Sequence, residues 1–348
     1  MSTENLAAVL EKPGSALKPL TLQIPTPEEN EILVRNHAVA ANPADWKIRD
    51  FPSHLNAFPT VLGSDVCGVV SAIGPKVTKY KVGDRVAGFA LVIYNKKPEH
   101  GAWQTYTLLQ ESATMRIPEF VSFEEGATFP MAFATVAVAY FERLGIARPV
   151  STADQQQQQQ SGMLVWGASS STGTAAVQLA KELGFKVFAT ASPKNHEYVK
   201  SLGASEVIDY RDPHVVAKLA LLAKEANTPL RYGFDSISEG NSSLRSANTL
   251  LASGGQGSKL ALSGPWPTAD EKPAGIEISM TIAAFAFVDH VAMGSWMFNE
   301  YLPKAVEQKN IVPAPKVTVV DGGIGAAQEA LDIVKAGVSA TKIVVRID

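Results

Sequence analysis

The stretch from Met163 to Ser192, MLVWGASSSTGTAAVQLAKELGFKVFATAS, constrains the fold of this chain more than any other. Met163 to Trp166 is a short apolar run, the pattern of a strand buried on both faces. Gly167 to Gly173 follows as a tract of small residues, with nothing bulky to keep a ligand off the backbone. Ala175, Ala176, Leu179, Ala180 and Leu183 then recur at helical spacing, with Lys181 and Glu182 on the other face. Gly184 ends that helix, and Lys186 to Thr190 reads as a second strand. Together these pieces make a right-handed crossover unit whose helix N-terminus points into the turn. Unpaired N–H groups and the helix dipole favour a diphosphate there. The loop departs from the dinucleotide fingerprint, because only Gly167 and Gly173 are glycines and Ser169, Ser170, Ser171 and Thr172 fill the interval. On the loop alone, a dinucleotide site and an ordinary Ser-rich strand-to-helix turn both stay open.

The rest of the chain falls into two textures. Residues 6–40 alternate strand-like runs with Pro and Gly punctuation, and Val61 to Gly74 and Val82 to Val86 continue the pattern. An antiparallel, barrel-like first domain is expected, with Gly63, Gly68, Gly74 and Gly83 at bulges and turns. Ser122-Phe-Glu-Glu125 is a capping box, predicting a helix from there to Leu144. Strands at Glu206–Tyr210, Tyr232–Asp235 and Lys259–Ser263 then alternate with helices at 213–226 and 242–251, which predicts an α/β doubly wound parallel sheet. Ile276 to Ile282 alternates with period two, as an edge strand would. A helix from Trp296 to Gln308, a strand at Lys316–Val320, a helix at 325–336 and a last strand at Lys342–Ile347 resemble the first segment more than the middle. The expected division is therefore 1–124 with 294–348 as one domain, interrupted by 125–293. Residues 147–162, with glutamines at 155–160, read as a surface insertion.

At 348 residues two domains are the expectation. A net charge of −3 gives no sign of a nucleic-acid or membrane-surface partner. One cysteine, Cys67, excludes a disulfide framework and a cysteine zinc cluster. The first residues lack the pattern of a signal peptide, so a cytoplasmic protein is expected.

Taken in order, Ala41–Asp45, Leu62–Asp65 through Val82–Val86, Gly101–Tyr106, Gly173–Lys181, Gly203–Tyr210 and the Lys342–Val345 ending resemble the medium-chain dehydrogenase/reductase superfamily. The resemblance runs nearly end to end. It implies a Rossmann sheet inserted in a GroES-like barrel domain. Within the superfamily the chain is similar to the zinc-independent quinone-reductase and enoyl-reductase branch. It looks most like fungal members, including stand-alone enoyl reductases that serve polyketide synthases.

Zinc alcohol dehydrogenases put a cysteine where this chain has Asn42 and a His-Glu pair where it has Ser64-Asp65. An amide and a hydroxyl are poor zinc ligands beside thiolate and imidazole, so no metal is expected. The end of the second strand reads Thr190-Ala-Ser-Pro-Lys-Asn195. NAD enzymes place an acid there for the ribose hydroxyls. Ser192, Pro193, Lys194 and Asn195 instead suit a 2′-phosphate, so NADPH is the expected cofactor. A plain helix cap is the alternative for these four. The resemblance implies that Tyr210 closes that pocket. It also implies contacts to the nicotinamide end from Asn42, Asp45, Thr135, Leu262, Ser263, Thr341 and Lys342. Asn42, Asp45 and Thr135 would be the catalytic, positioning residues, with no proton donor identified. Asp45 could equally cap the short helix after Pro43, Thr135 could be an inward helix residue, and Lys342 a solvated strand end. Trp103, Met131, Phe133, Phe285, Phe287, Met293 and Trp296 suit an apolar small-molecule substrate or simply the core. His54, His100 and His290 read as solvated loop residues.

The function expected is hydride transfer from NADPH to an activated C=C without metal. A trans-acting enoyl reductase docking on a polyketide synthase is a second reading, and a non-catalytic NADPH-binding redox sensor a third. Edge pairing at Ile276–Ile282 would give a homodimer; otherwise the chain is a monomer.

Overall fold

In the computed structural model, which describes residues 4–51, 57–149, 161–267 and 271–347, the crossover unit forms as its residue pattern dictates. The chain divides into one unit of Met1–Ala134 with Ala284–Asp348 and another of Thr135–Ala283. The insertion glutamines 155–160 and His54 lie outside the described residues.

The first unit opens with β1 (Asn5–Leu10), β2 (Lys18–Leu22), β3 (Glu31–Ala40), β4 (Thr60–Val61), β5 (Asp65–Ile73), β6 (Arg85–Phe89), β7 (Tyr106–Gln110) and β8 (Thr114–Arg116). The second unit holds β9 (Gly162–Trp166), β10 (Lys186–Thr190), β11 (Ala204–Ile208), β12 (Leu230–Asp235), β13 (Ser258–Leu262) and β14 (Ile276–Met280). The chain then returns to the first unit for β15 (Lys316–Val320) and β16 (Thr341–Arg346).

In the second unit the six strands run parallel in the order β11-β10-β9-β12-β13-β14, with β14 at an edge as expected. Leu164, Phe188, Leu219, Leu250 and Leu260 share one core between sheet and helices. Strand order reverses between β9 and β12, and ligands of such sheets bind beyond the carboxyl ends of the strands at that point. Gly167 leaves β9 there and Ser236 leaves β12.

In the first unit a seven-stranded sheet runs β15-β16-β3-β5-β6-β8 with β7 also on β3, and a three-stranded sheet runs β2-β1-β4. The β3–β5 register slips between Asn36 and Ala38 beside Gly68. A Cβ at Gly68 would sit 2.0 Å from the Arg35 carbonyl oxygen, so the expected bulge glycine is a close-approach glycine. β16 pairs with β3 antiparallel, and the Ala41 N–H donates to the Ile343 carbonyl at 2.9 Å. That register sets Lys342 beside Asn42.

Two helices differ from expectation. Ser122 Oγ accepts from the Glu125 N–H at 3.1 Å, and the Ser122 N–H donates to Glu125 Oε2 at 3.0 Å, so the capping box forms. It starts only one turn, Phe123–Gly126. A second helix begins at Pro130 and runs to Ala137, continuing as a π-helical turn through Arg143, because proline disfavours helix in the residue before it. The late helix begins at Val291, not Trp296. Phe287 just before it packs on Phe89 and Phe298, with ring centroids 5.5 and 4.9 Å away. These two local facts accompany unit divisions at 134/135 and 283/284 where 124/125 and 293/294 were expected.

Candidate active site

In the second unit the small-residue loop is fixed from both sides. Gly167, at φ +74°, donates its N–H to Thr190 Oγ1 at 3.0 Å, and the Ala168 N–H donates to the Thr190 carbonyl at 2.9 Å. Ser170 caps the helix Ser171–Glu182, its Oγ accepting from the Gly173 N–H at 3.0 Å. Gly173 has no room for a side chain, since a Cβ would lie 2.4 Å from the Gly167 carbonyl oxygen. Ser169, Ser171 and Thr172 are half-buried around the cap, and the Ser171 Oγ is buried with no partner among the described residues. A helix start leaves its first N–H groups unpaired, and an orphan hydroxyl beside them suits phosphate oxygens. The loop therefore fits a dinucleotide diphosphate.

Sequence reasoning missed Asp235, which organises the other side. It is fully buried at the end of β12. Its Oδ2 accepts from Ser242 Oγ at 2.7 Å and Ser243 Oγ at 2.8 Å, and its Oδ1 from the Ile237 and Ser238 N–H groups at 3.0 and 3.1 Å. Burial raises its pKa against the pull of those bonds. The turn so fixed carries Ser236, whose Oγ donates to the Trp166 and Gly167 carbonyls at 2.7 and 2.9 Å and lies 2.9 Å from Ser170 Oγ. It also receives the Ser263 N–H on the Asp235 carbonyl at 2.9 Å, after Leu262 ends β13. An aspartate closing a strand ahead of a Ser-Ser helix start was the available signal.

Beyond β10, Ser192 is half-buried and Lys194 is exposed, with no ion pair among the described residues. Ser192 and Asn195 hold the N-cap positions of the 3-10 turn Pro193–Asn195 and of the helix His196–Ser201, with no side-chain cap bond from either. β10 and β11 are neighbours, which brings the segments after them to one end of the sheet. Tyr210 is 39% exposed there, with the Arg211 guanidinium 5.5 Å over its ring and Arg245 Nη1 donating to its carbonyl at 2.7 Å. Thr135 is a buried residue of the helix Pro130–Ala137.

In the first unit Asn42 and Lys342 meet Asp65 in one buried cluster with Asp45 joined to it, and Thr341 stands outside it. Lys342 is not a solvated strand end: its side chain is 3% exposed and that of Asp65 is 0%. Lys342 Nζ donates to Asp65 Oδ2 at 2.7 Å and to Asn42 Oδ1 at 2.6 Å. Asn42 Nδ2 donates to Asp65 Oδ2 at 2.8 Å, and the Met131 N–H to Asp65 Oδ1 at 2.6 Å. The Asn42 N–H donates to Asp45 Oδ2 at 3.0 Å, so Asp45 does cap the helix Pro43–Asp50. Thr341 spends its hydroxyl on the Lys316 carbonyl at 2.9 Å, with Thr318 Oγ1 2.7 Å away.

Burial pushes the Asp45 carboxyl up to about 7, with the Asn42 N–H pulling down, the Asp65 charge adding to the rise and Lys342 opposing it. Between the ordinary value and about 7 the folded state holds a proton that the unfolded state has lost. Stability therefore falls as pH rises across that window, by at most about 1.4 kcal/mol per pH unit. Asp45→Asn should flatten this slope in urea unfolding compared at pH 5 and pH 7, and an unchanged slope would place the titration elsewhere.

His100 corrects an expectation. It is 2% exposed, with Nε2 2.7 Å from Glu31 Oε1, and Glu31 also accepts from Gln110 Nε2 at 3.1 Å and the Glu28 N–H at 3.0 Å. Burial raises the Glu31 pKa, but His100 and the Glu28 N–H outweigh it and the net shift is downward. This pair ties Pro98–His100 to β3 and stands apart from the Lys342 cluster. Trp103, Phe133, Phe287 and Met293 are core residues. Among the described residues no three His, Cys, Asp or Glu side chains are grouped to hold a metal, and no helix is long and apolar enough to cross a membrane.

Two family models match: the alcohol dehydrogenase GroES-like domain over residues 28–119 and the zinc-binding dehydrogenase over residues 171–309. The trans-enoyl reductase tndF of Aspergillus flavipes is 38% identical over 355 residues, covering 99% of each chain. The dehydrogenase pigH of Monascus ruber is 35% identical over 375 residues, covering 99% of this chain and 100% of pigH. A solved structure from Rhizobium etli CFN 42, described as a zinc-dependent alcohol dehydrogenase, superposes with a TM-score of 0.81 at 26% identity over 99% of each chain.

Proposed function

The chain belongs to the medium-chain dehydrogenase/reductase family, and on that footing we propose that it is a metal-free, NADPH-dependent reductase of activated C=C bonds in enones, quinones or enoyl thioesters. It is an oxidoreductase of the enoyl- and quinone-reductase kind that works with a nicotinamide dinucleotide. The observation that carries the metal-free reading is the pairing of Asn42 and Asp65 with Lys342. At the positions where zinc alcohol dehydrogenases keep ligands, this chain seats its own ammonium. A dication there would meet a fixed positive charge and an amide whose oxygen is already engaged.

NADPH, when bound, supplies the hydride. Gly167 to Gly173 would hold the diphosphate and Lys194 and Tyr210 would take the 2′-phosphate, while Asn42 and Asp45 would act as positioning residues. Positioning and exclusion of water are the protein's part. Replacing Lys194 by alanine should weaken NADPH binding about tenfold, as loss of a charge-assisted hydrogen bond does, and leave NADH nearly unchanged by calorimetry. Equal weakening of both would show that Lys194 does not touch the 2′-phosphate.

The test of the function is oxidation of NADPH by the purified protein with a simple enone and a chelator present. Stoichiometric zinc with activity lost to the chelator would sink the metal-free reading. The name of the tndF relative favours one second reading, an enoyl reductase acting in trans on a chain carried by a polyketide synthase. Turnover confined to carrier-bound enoyl thioesters would select it. NADPH binding with no turnover of either substrate would select the redox sensor.

A further inference from the structure

Lys342, Asn42 and Asp65 close a triangle of hydrogen bonds inside the first unit. Lys342 Nζ is 2.6 Å from Asn42 Oδ1 and 2.7 Å from Asp65 Oδ2, and the same Asp65 oxygen accepts from Asn42 Nδ2 at 2.8 Å. The Met131 N–H, 2.6 Å from Asp65 Oδ1, holds the carboxylate from its other side. The two chain segments are fixed as well, since β16 pairs with β3 up to Ala40 and the Ala41 N–H donates to the Ile343 carbonyl at 2.9 Å. Water is kept out. Asn42 and Lys342 are each 3% exposed and Asp65 0%, and their neighbours Ala41, Val66 and Ile343 belong to one hydrophobic core.

An amine, an amide carbonyl and a carboxylate held in this way are the parts of an acyl transfer. The side-chain carbonyl carbon of Asn42 lies one C=O bond, about 1.2 Å, beyond Oδ1, so Nζ stands within about 3.8 Å of it. A near-attack separation is about 3–3.5 Å, a short step away. Away from water, passing one proton from the ammonium to the carboxylate removes two buried charges together and leaves the amine nucleophilic. Asp65 Oδ2 touches both the nitrogen that must lose a proton to attack and the nitrogen that must gain one to leave.

We propose that Lys342 and Asn42 join in an intramolecular isopeptide bond, with Asp65 carrying the proton between them. Lys342 Nζ attacks Asn42 Cγ, the Cγ–Nδ2 bond breaks, and Nδ2 departs as ammonia. Of the three ammonium protons, one stays on the new amide nitrogen, one leaves with the ammonia and one remains on Asp65. No oxidant, cofactor or second molecule enters the balance. Asp65 is the catalytic residue of this step, and the uncharged Asn42 amide is a better electrophile than an ionised carboxylate. The bond clasps the end of β3 to β16 and closes the chain into a ring from residue 42 to residue 342. Such a clasp removes loop-closure entropy from the unfolded chain, as a disulfide does. It goes beyond the reductase reading and does not depend on it.

Mass spectrometry of the intact, denatured protein is the test. The wild-type chain should be lighter than its sequence requires by one ammonia, and a tryptic digest should hold residues 36–47 joined to residues 336–346. The neutral double variant K342M/D65N, shown to be folded by thermal melting, should have its full mass and give the two peptides separately. D65N alone keeps the amine and the Asn42 amide but loses the proton carrier, so it too should have its full mass. A wild type of full mass overturns the proposal. So does a deficit that persists in the double variant, because the ammonia would then come from elsewhere. A deficit of one water, with Lys342 joined to the peptide that carries Asp65, overturns the assignment to Asn42. A deficit retained in folded D65N overturns the part given to Asp65. No arm uses NADPH or an enone, so failure of the reductase reading and failure of the bond are separate results.

Discussion

Gly173→Ala should weaken NADPH binding by about 10²-fold or more, the scale of a 1 Å misplacement in a binding site. The added Cβ would stand 2.4 Å from the Gly167 carbonyl oxygen, 2.8 Å from the Ala168 Cα and 2.9 Å from Ser170 Oγ. Two of those three neighbours are backbone, and both are tied down by bonds to Thr190. The helix start must therefore back away, which breaks the Ser170 cap and moves the N–H groups meant for the diphosphate. Gly325→Ala is the control, because nothing lies within 4 Å of its Cβ and its backbone is not left-handed. Fluorescence titration of both variants decides the matter. Binding by Gly173→Ala within about threefold of wild type would sink the assignment of this loop to the cofactor.

The second large effect is on stability. Asp65→Ala leaves the Lys342 ammonium inside the protein with one amide oxygen and deprives Asn42 and the Met131 N–H of their acceptor. Breaking a buried ion pair from one side costs about 3–5 kcal/mol, most of it the penalty of the stranded charge. Urea unfolding should show that loss, and the doubly neutral K342M/D65N should recover part of it, giving a coupling energy for the pair. A loss below about 1 kcal/mol for Asp65→Ala would mean that water reaches the ammonium.

What could be read in the sequence follows the range of the interaction that creates each feature. The crossover from Met163 to Thr190 was legible because apolar runs, small residues and helical spacing are all local signals. The return of β16 to the first segment's sheet was legible through the texture of the tail. The break at Pro130 was also in the sequence, since proline curbs the helix before it, but the Ser122 capping box was read too far forward. The Lys342–Asn42 contact spans 300 residues, and no periodicity encodes a bond of that separation. The sequence alone therefore leaves a solvated end open for Lys342 beside the contact, and the β3–β16 register decides between them. His100 failed for the same reason: its partner Glu31 lies 69 positions away on another strand. Asp235 has a local signal, the two serines that begin the following helix.

The first unit is assembled from both ends of the chain, and this sets an order of events during synthesis. When residue 283 has emerged from the ribosome, the contiguous unit Thr135–Ala283 is complete, and domains generally fold as units as they appear. The opening segment has been out longer but cannot finish, because β3 lacks β16 along one edge and Asp65 lacks its cation. The nascent chain thus carries an unclosed sheet and an unneutralised carboxylate until residues 341–346 arrive. A chain stopped after residue 283 should yield a protease-resistant fragment from the second unit, while the first 134 residues are digested. Equal protection of both would show that the opening segment closes without its tail.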